Sequence, residues 1–189
     1  MHTIYKGNRV GLRPLSSVEE YTSIDDKLME VPSAYWGPHW QPLGERRKEF
    51  ETTGVSDPQS YSVYAIERLD TRQLIGLEEH GSIKPSALWT WFGTHLLEQH
   101  QRLGFGIEAK QLMLCLLFEN FPIESAYAIT TSNHEPARRG LERSGFRYIG
   151  EKQAMFIAYG KPVSEIYYAI TRREWEKSDY RHTVKRGVV

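Results

Sequence analysis

The residues best placed to do chemistry form one short run, Gln101-Arg102-Leu103-Gly104-Phe105-Gly106, between an aromatic segment and a long apolar one. Glycines at this spacing let the main chain approach a ligand, because no Cβ intervenes. If a helix starts here, several of its N–H groups have no intrahelical partner. Together with the helix dipole they suit a phosphate or pyrophosphate. A plain glycine turn without a ligand fits the same residues, so the glycines alone leave both readings open.

Titratable and aromatic residues surround this run. Glu78 and His80 are two apart on a strand-like segment and share a face, and Glu79 turns the other way. His95 ends the segment before the glycines, and His134 opens a later helix. Carboxylates and imidazoles can accept a proton near neutral pH. Glu78 and His95 are the candidate catalytic bases, against the competing reading of ordinary solvent-facing or hydrogen-bonded side chains. Two aromatic clusters, Tyr35-Trp36 with His39 and Trp40, and Trp89 with Trp91 and Phe92, could line an acceptor pocket. Indole faces suit flat or cationic ligands. Tyr35, Trp36, Trp40, Trp89 and Trp91 are the candidate acceptor-binding residues, and Phe92 reads as core.

The elements that must position these residues follow from periodicity. Residues 9–15 alternate and end at Pro14, which reads as a strand. Ser16 and Ser17 before Glu19 and Glu20 signal a helix over 17–29. Pro32, Gly37, Pro38 and Pro42 break the next stretch, and a polar helix follows over 43–53. Residues 61–69 and 73–80 read as a hairpin around Asp70-Thr71-Arg72, and 88–96 as a third strand. An amphipathic helix over 107–121 stops at Pro122. A strand over 125–131, a short helix opened by Pro136 and stopped by Gly145, and strands over 146–158 and 163–171 complete the core. The polar tail beyond Arg172 reads as a helix and then a frayed end.

Bulk properties narrow the class. A chain of 189 residues with 40% apolar and 25% charged residues suits a single domain with a full core. Equal counts of basic and acidic residues argue against a nucleic-acid polymer as partner. The lone Cys115, in an apolar run, allows no internal disulfide and reads as core. No stretch approaches a membrane span and the N-terminus has no apolar signal core, so a cytoplasmic protein without membrane contact is expected.

The glycine run resembles the Q/R-x-x-G-x-G/A acetyl-CoA pyrophosphate motif of the GNAT superfamily, and Glu108-Ala109 looks like the E-A that often follows it. Asn133-His134-Glu135-Pro136-Ala137-Arg138 and Leu141-Glu142-Arg143-Ser144-Gly145-Phe146 resemble the second signature, N-x-x-S/A and L-E-x-x-G-F. Leu12-Arg13-Pro14-Leu15 and Ile170-Thr171-Arg172-Arg173-Glu174-Trp175 look like the opening and closing strands of the RimJ/RimL branch. The likeness spans residues 9–176 of a single domain over 1–189, leaving a polar tail over 177–189. The rival dinucleotide fingerprint needs a third glycine in a parallel unit, and that glycine is missing.

The resemblance implies an α/β (α+β) fold: a mixed, mostly antiparallel sheet of about seven strands, splayed between the fourth and fifth, with helices on both faces. It implies acetyl-CoA as cosubstrate and no metal. Gln101, Arg102, Leu103, Gly104, Phe105 and Gly106 would hold the pyrophosphate, Gly93, Thr94, His95 and Leu96 the pantetheine arm, with Asn133 and Arg138 beside it. The positions where the family often carries a Tyr acid, a Ser and a Glu base hold Leu141, Ala137 and Trp91. The expected activity is direct acetyl transfer to a primary amine of a small molecule with an aromatic or heterocyclic part, antibiotic- or nucleotide-like. The alternatives are a protein Nα-acetyltransferase of the ribosomal-protein type and a non-catalytic acetyl-CoA-binding module. The protomer would be a monomer or a homodimer.

Overall fold

Period-two alternation in residues 61–80 sends neighbouring side chains to opposite sides of one sheet, and two apolar cores form there. The computed structural model describes residues 4–29, 43–57, 59, 61–83, 88–158 and 160–187. In chain order the elements are β1 (Tyr5–Lys6), β2 (Val10–Pro14), α1 (Val18–Met29), α2 (Leu43–Thr53), β3 (Ser56–Asp57), β4 (Tyr61–Arg68), β5 (Leu74–His80), β6 (Trp89–Leu96) and α3 (Phe105–Asn120). Then follow β7 (Ser125–Thr131), α4 (Glu135–Arg143), β8 (Arg147–Ala158), β9 (Lys161–Thr171), α5 (Arg172–Glu176) and β10 (Lys185–Arg186). The sheet order is β10-β1-β2-β4-β5-β6-β7-β9-β8, with β3 beside β4. Among the described residues only β6 and β7 run parallel; every other pair is antiparallel. Among the described residues the sheet has ten strands, seven of them with five or more residues, against the about seven that the resemblance implies.

Ile66 and Ile75 turn toward α3 and α4 and join Phe92, Leu112 and Phe146 in the larger core. Ala65 turns the other way and joins Leu15, Tyr21 and Ile24, as does Leu77, because the β4–β5 register shifts at Ile75. Local chemistry starts the helices where the sequence suggests. Ser17 Oγ accepts the Glu20 N–H of α1 at 3.2 Å. At α5, Thr171 and Glu174 form a reciprocal capping box.

Two expectations change. The helix expected as amphipathic over 107–121 starts earlier, at Phe105, and residues 111–118 are all buried. The added burial involves the tail, expected to fray. Trp175 and Val184 are 4% exposed and pack into the α3 core, Phe118 meets Trp175 at 5.3 Å between centroids, and β10 pairs with β1. A buried apolar anchor of this kind contributes about 2 kcal/mol, enough for a few apolar residues to dock a polar segment. Cys115 is buried, and burial pushes its thiol up to about 12, so it is inert near neutral pH. No helix among the described residues is long and apolar enough to cross a membrane.

Candidate active site

The site begins where two parallel strands part. β6 pairs with β7 only through Trp89↔Ser125, Thr90↔Ala126 and Trp91↔Tyr127, yet it stays paired with β5 from Phe92 to Leu96. Beyond Tyr127, β7 continues against β9 as far as Thr131↔Glu165. Odd-numbered residues of β6 bond toward β5: the Gly81 N–H donates to Trp91 O and the Leu97 N–H to Ile75 O, both at 3.0 Å. Alternation therefore turns the main-chain groups of Phe92, Thr94 and Leu96 toward the opened side. Gln101 Nε2 donates to Leu96 O at 2.9 Å, which ties the glycine run to the strand.

At the carboxyl end of β6 the chain reaches α3 through Gly104 at φ 85°, with no side-chain cap. The Glu108 N–H reaches back to Gly104 O at 3.3 Å. The preceding N–H groups of Phe105, Gly106 and Ile107 are left to face outward. A Cβ on Gly104 would lie 2.9 Å from Arg9 Nη2, and one on Gly106 would lie 3.3 Å from Leu96 Cδ1. Arg102 holds φ 60°, an uncommon backbone for a side-chain-bearing residue. The loop keeps this shape because β2 clamps it. Glu108 accepts the Arg9 N–H at 2.7 Å and the Val10 N–H at 3.3 Å, and the Arg9 guanidinium donates to Leu103 O at 2.9 Å. Arg9 and Arg68 also stand over the Phe105 ring at 4.8 and 5.3 Å.

Asn133 and Arg138 stand at the carboxyl end of β7. They border a shallow cleft with Ser132, Glu135 and Glu142, and Arg138 donates to Ser132 O at 3.5 Å. Because β6 and β7 are parallel, both carboxyl ends open on the same side, and each leads into a helix N-terminus. Open sheets with parallel strands take ligands in this crevice.

The two candidate bases fall on opposite faces. Glu78 is fully buried on the α3 side, where Thr94 Oγ1 donates to its Oε1 at 2.7 Å. Burial pushes its carboxyl up to about 8, against the pull of the Lys110 ammonium. Burial likewise holds Lys110 below the usual ammonium range, and its Nζ donates to Gly106 O at 3.4 Å. His80 shares this face and behaves as a core residue: Nδ1 meets Gly81 O at 2.8 Å, and burial holds the imidazole below its ordinary value. His134 is pushed down to about 4 by burial and by Lys110. Leu141 is buried in the α3 core and offers no proton there.

His95 lies on the α1–α2 side with a partner that sequence reasoning passed over. Its Nε2 meets Glu79 Oε1 at 3.0 Å, and the Tyr61 hydroxyl donates to Glu79 Oε2. Burial pulls the His95 imidazole down, but the hydrogen bond and charge of Glu79, with Glu78 and Asp25, outweigh it and leave it raised. The side chain is still 51% exposed, so solvent screens part of that effect. Trp91 packs beside Tyr61 at 6.2 Å and is 36% exposed; Trp89 meets Tyr127 edge-on at 5.6 Å and is 52% exposed. Asp25 of α1, ion-paired with the buried Arg46, and Glu49 of α2 add acidic charge near this face. Tyr35, Trp36 and Trp40 lie outside the described residues. The alternation of β5 separates Glu79 from Glu78; that Tyr61, Glu79 and His95 meet depends on cross-strand register, which composition does not carry.

Comparison with known proteins places this geometry. Among solved structures, a spermidine N-acetyltransferase from Vibrio cholerae in complex with CoA and spermine superposes with a TM-score of 0.77 at 17% identity, covering 89% of this chain and 98% of that one. RimJ of Mycobacterium smegmatis in complex with CoA-disulfide gives 0.73 at 17% identity, covering 92% and 87%. A putative ribosomal-protein-serine acetyltransferase from Vibrio cholerae gives 0.69 at 16%, covering 90% and 97%. At these identities the likeness is one of fold. No curated protein sequence matches the chain. The family profile described as "Acetyltransferase (GNAT) domain" matches residues 9–147, well over half of the sequence. With the splayed parallel pair and the glycine-opened helix in place, the chain belongs to the GNAT acetyltransferase family.

Proposed function

We propose that the protein transfers the acetyl group of acetyl-CoA to the primary amine of a small molecule with an aromatic or heterocyclic part. The observation that carries this reading is the parting of β6 from β7 beyond Trp91, immediately upstream of an uncapped helix N-terminus. The outward N–H groups at Gly104–Gly106 suit the pyrophosphate. Thr94 offers main-chain groups to the amide-bearing arm, with Asn133 and Arg138 across the crevice. A β6 main-chain N–H beyond the last rung with β7 suits the acetyl oxygen, where one preorganised donor contributes about 3 kcal/mol to transition-state stabilisation. The neighbours solved with CoA and CoA-disulfide support the cosubstrate.

On the acceptor side, Trp91, Trp89 and Tyr61 offer aromatic surface, and Glu79 with Asp25 and Glu49 favours an amine that carries positive charge. The amine must lose a proton to attack. Of the two candidate bases, the geometry favours His95, which lies beside this aromatic surface, over Glu78, which is sealed beneath the sheet. The test is thiol release from acetyl-CoA across aminoacyl nucleotides, aminoglycosides, polyamines and short peptides. Turnover with a small aromatic or heterocyclic amine is expected. Turnover with peptides alone would replace this reading with Nα-acetylation, and tight CoA binding without any turnover would favour a non-catalytic module.

A further inference from the structure

Gly93 occupies the interior of β6, where a residue without a side chain weakens a strand unless something needs the space. Two polar groups fill it. A Cβ on Gly93 would lie 2.9 Å from Glu79 Oε1 and 3.3 Å from His95 Nε2, so the carboxylate and the imidazole meet over that residue. The register Glu79↔Gly93 between β5 and β6 sets this up, and His95 leans back along its own strand to complete it.

We infer that Tyr61, Glu79 and His95 form one relay across β4, β5 and β6, in which His95 takes the proton of the attacking amine and Glu79, held by Tyr61, is the positioning residue that fixes its tautomer and orientation. This rests on the transferase reading of the site. Each carboxylate oxygen has its own donor, Tyr61 on Oε2 and His95 on Oε1, so the carboxylate is held in one orientation. With Nε2 turned to a carboxylate, Nε2 carries the hydrogen and Nδ1 keeps its lone pair. The ring is half-exposed, which leaves room for an amine to approach it. As the amine nitrogen bonds to the acetyl carbon, its proton passes to Nδ1. The carbon–sulfur bond then breaks with its electron pair going to sulfur, and the imidazolium returns the proton to the thiolate or to water. The titratable groups facing His95 are Glu79 on its own face, Asp25 from α1 with its partner Arg46 from α2, and, beneath the sheet, Glu78 beside Lys110, which adds charge only once it loses its proton. Glu49 of α2 acts on Glu79.

Two measurements test the relay. NMR titration of His95 needs no acceptor: Glu79→Gln is expected to lower the imidazole's midpoint, since the carboxylate that raises it is gone. The pH profile of kcat/KM with the best acceptor should lose its acid limb in His95→Gln, with a fall of about 100-fold. Glu79→Gln should move that limb to lower pH and cost at least about tenfold, and Tyr61→Phe should do the same to a smaller extent. An unmoved His95 titration in Glu79→Gln, or an acid limb that persists in His95→Gln, overturns the inference; the latter would make Glu79 itself the base. Failure of the unaltered chain to bind CoA would instead overturn the transferase reading.

Discussion

Beneath the sheet at β5 and β6, Glu78 sits sealed with Thr94 and Lys110. Above it, Glu79 sits with Tyr61 and His95 on a face that water reaches. The two carboxylates are adjacent in the chain and share the same acid chemistry. Burial makes Glu78 a group that keeps its proton to about pH 8. A histidine and a tyrosine make Glu79 an acceptor of two hydrogen bonds. The strand's alternation assigns the two environments, so one residue of register decides which carboxylate can take part in proton transfer.

The comparison can be broken most severely at Gly93. Gly93→Val would place carbon where Glu79 and His95 meet; contrary to the expectation that Gly93 holds the pantetheine arm, its main chain bonds toward β5, so a fall in kcat/KM of about 100-fold is expected with CoA affinity retained. Near-normal turnover in that variant would show that the pair's geometry is dispensable. Glu78→Gln sharpens the other side. The folded chain holds the Glu78 proton up to about pH 8, against an ordinary value of 4.5. Its contribution to stability is therefore fully present below pH 4.5, where both states hold the proton, and is lost as the pH rises through 8, because the unfolded chain releases the proton first. Thermal unfolding should show Glu78→Gln gaining on the native chain across that window, by about 10 °C at its upper end. A gap independent of pH would mean that Glu78 is charged throughout. The mildest change is Trp91→Ala, which removes an exposed ring. The acceptor KM is expected to rise about fivefold with kcat nearly unchanged, for the loss of about 1 kcal/mol of aromatic contact. An unchanged KM would move the acceptor away from β6.

Much of this was legible in the residues. The strands around Asp70-Thr71-Arg72, the polar helix at Leu43–Thr53 and the glycines at the start of α3 follow from periodicity and from Gly and Pro placement, which act locally. The separation of Glu78 from Glu79 follows from alternation. Contacts that depend on register or on distant packing were not legible. Nothing in the residues near Glu79 announces Tyr61, which lies eighteen positions away in the chain. Nor does the polar composition of the tail reveal that Trp175 and Val184 would close over α3, because burial there depends on a groove built by other elements.

The parting of β6 from β7 has a consequence for how such a chain can drift over generations. The crevice is faced by main-chain groups of Phe92 and Thr94 and by the N–H groups that open α3. Those groups are the same whichever side chains the residues carry. Substitution can therefore pass through most of the strand and helix without erasing the recognition surface, provided that Gly104 keeps its left-handed turn and the strands still diverge. Selection then acts sharply on a few backbone-shaping residues and loosely elsewhere, so the acceptor face is free to be rebuilt for a new amine while the donor side stays as it is.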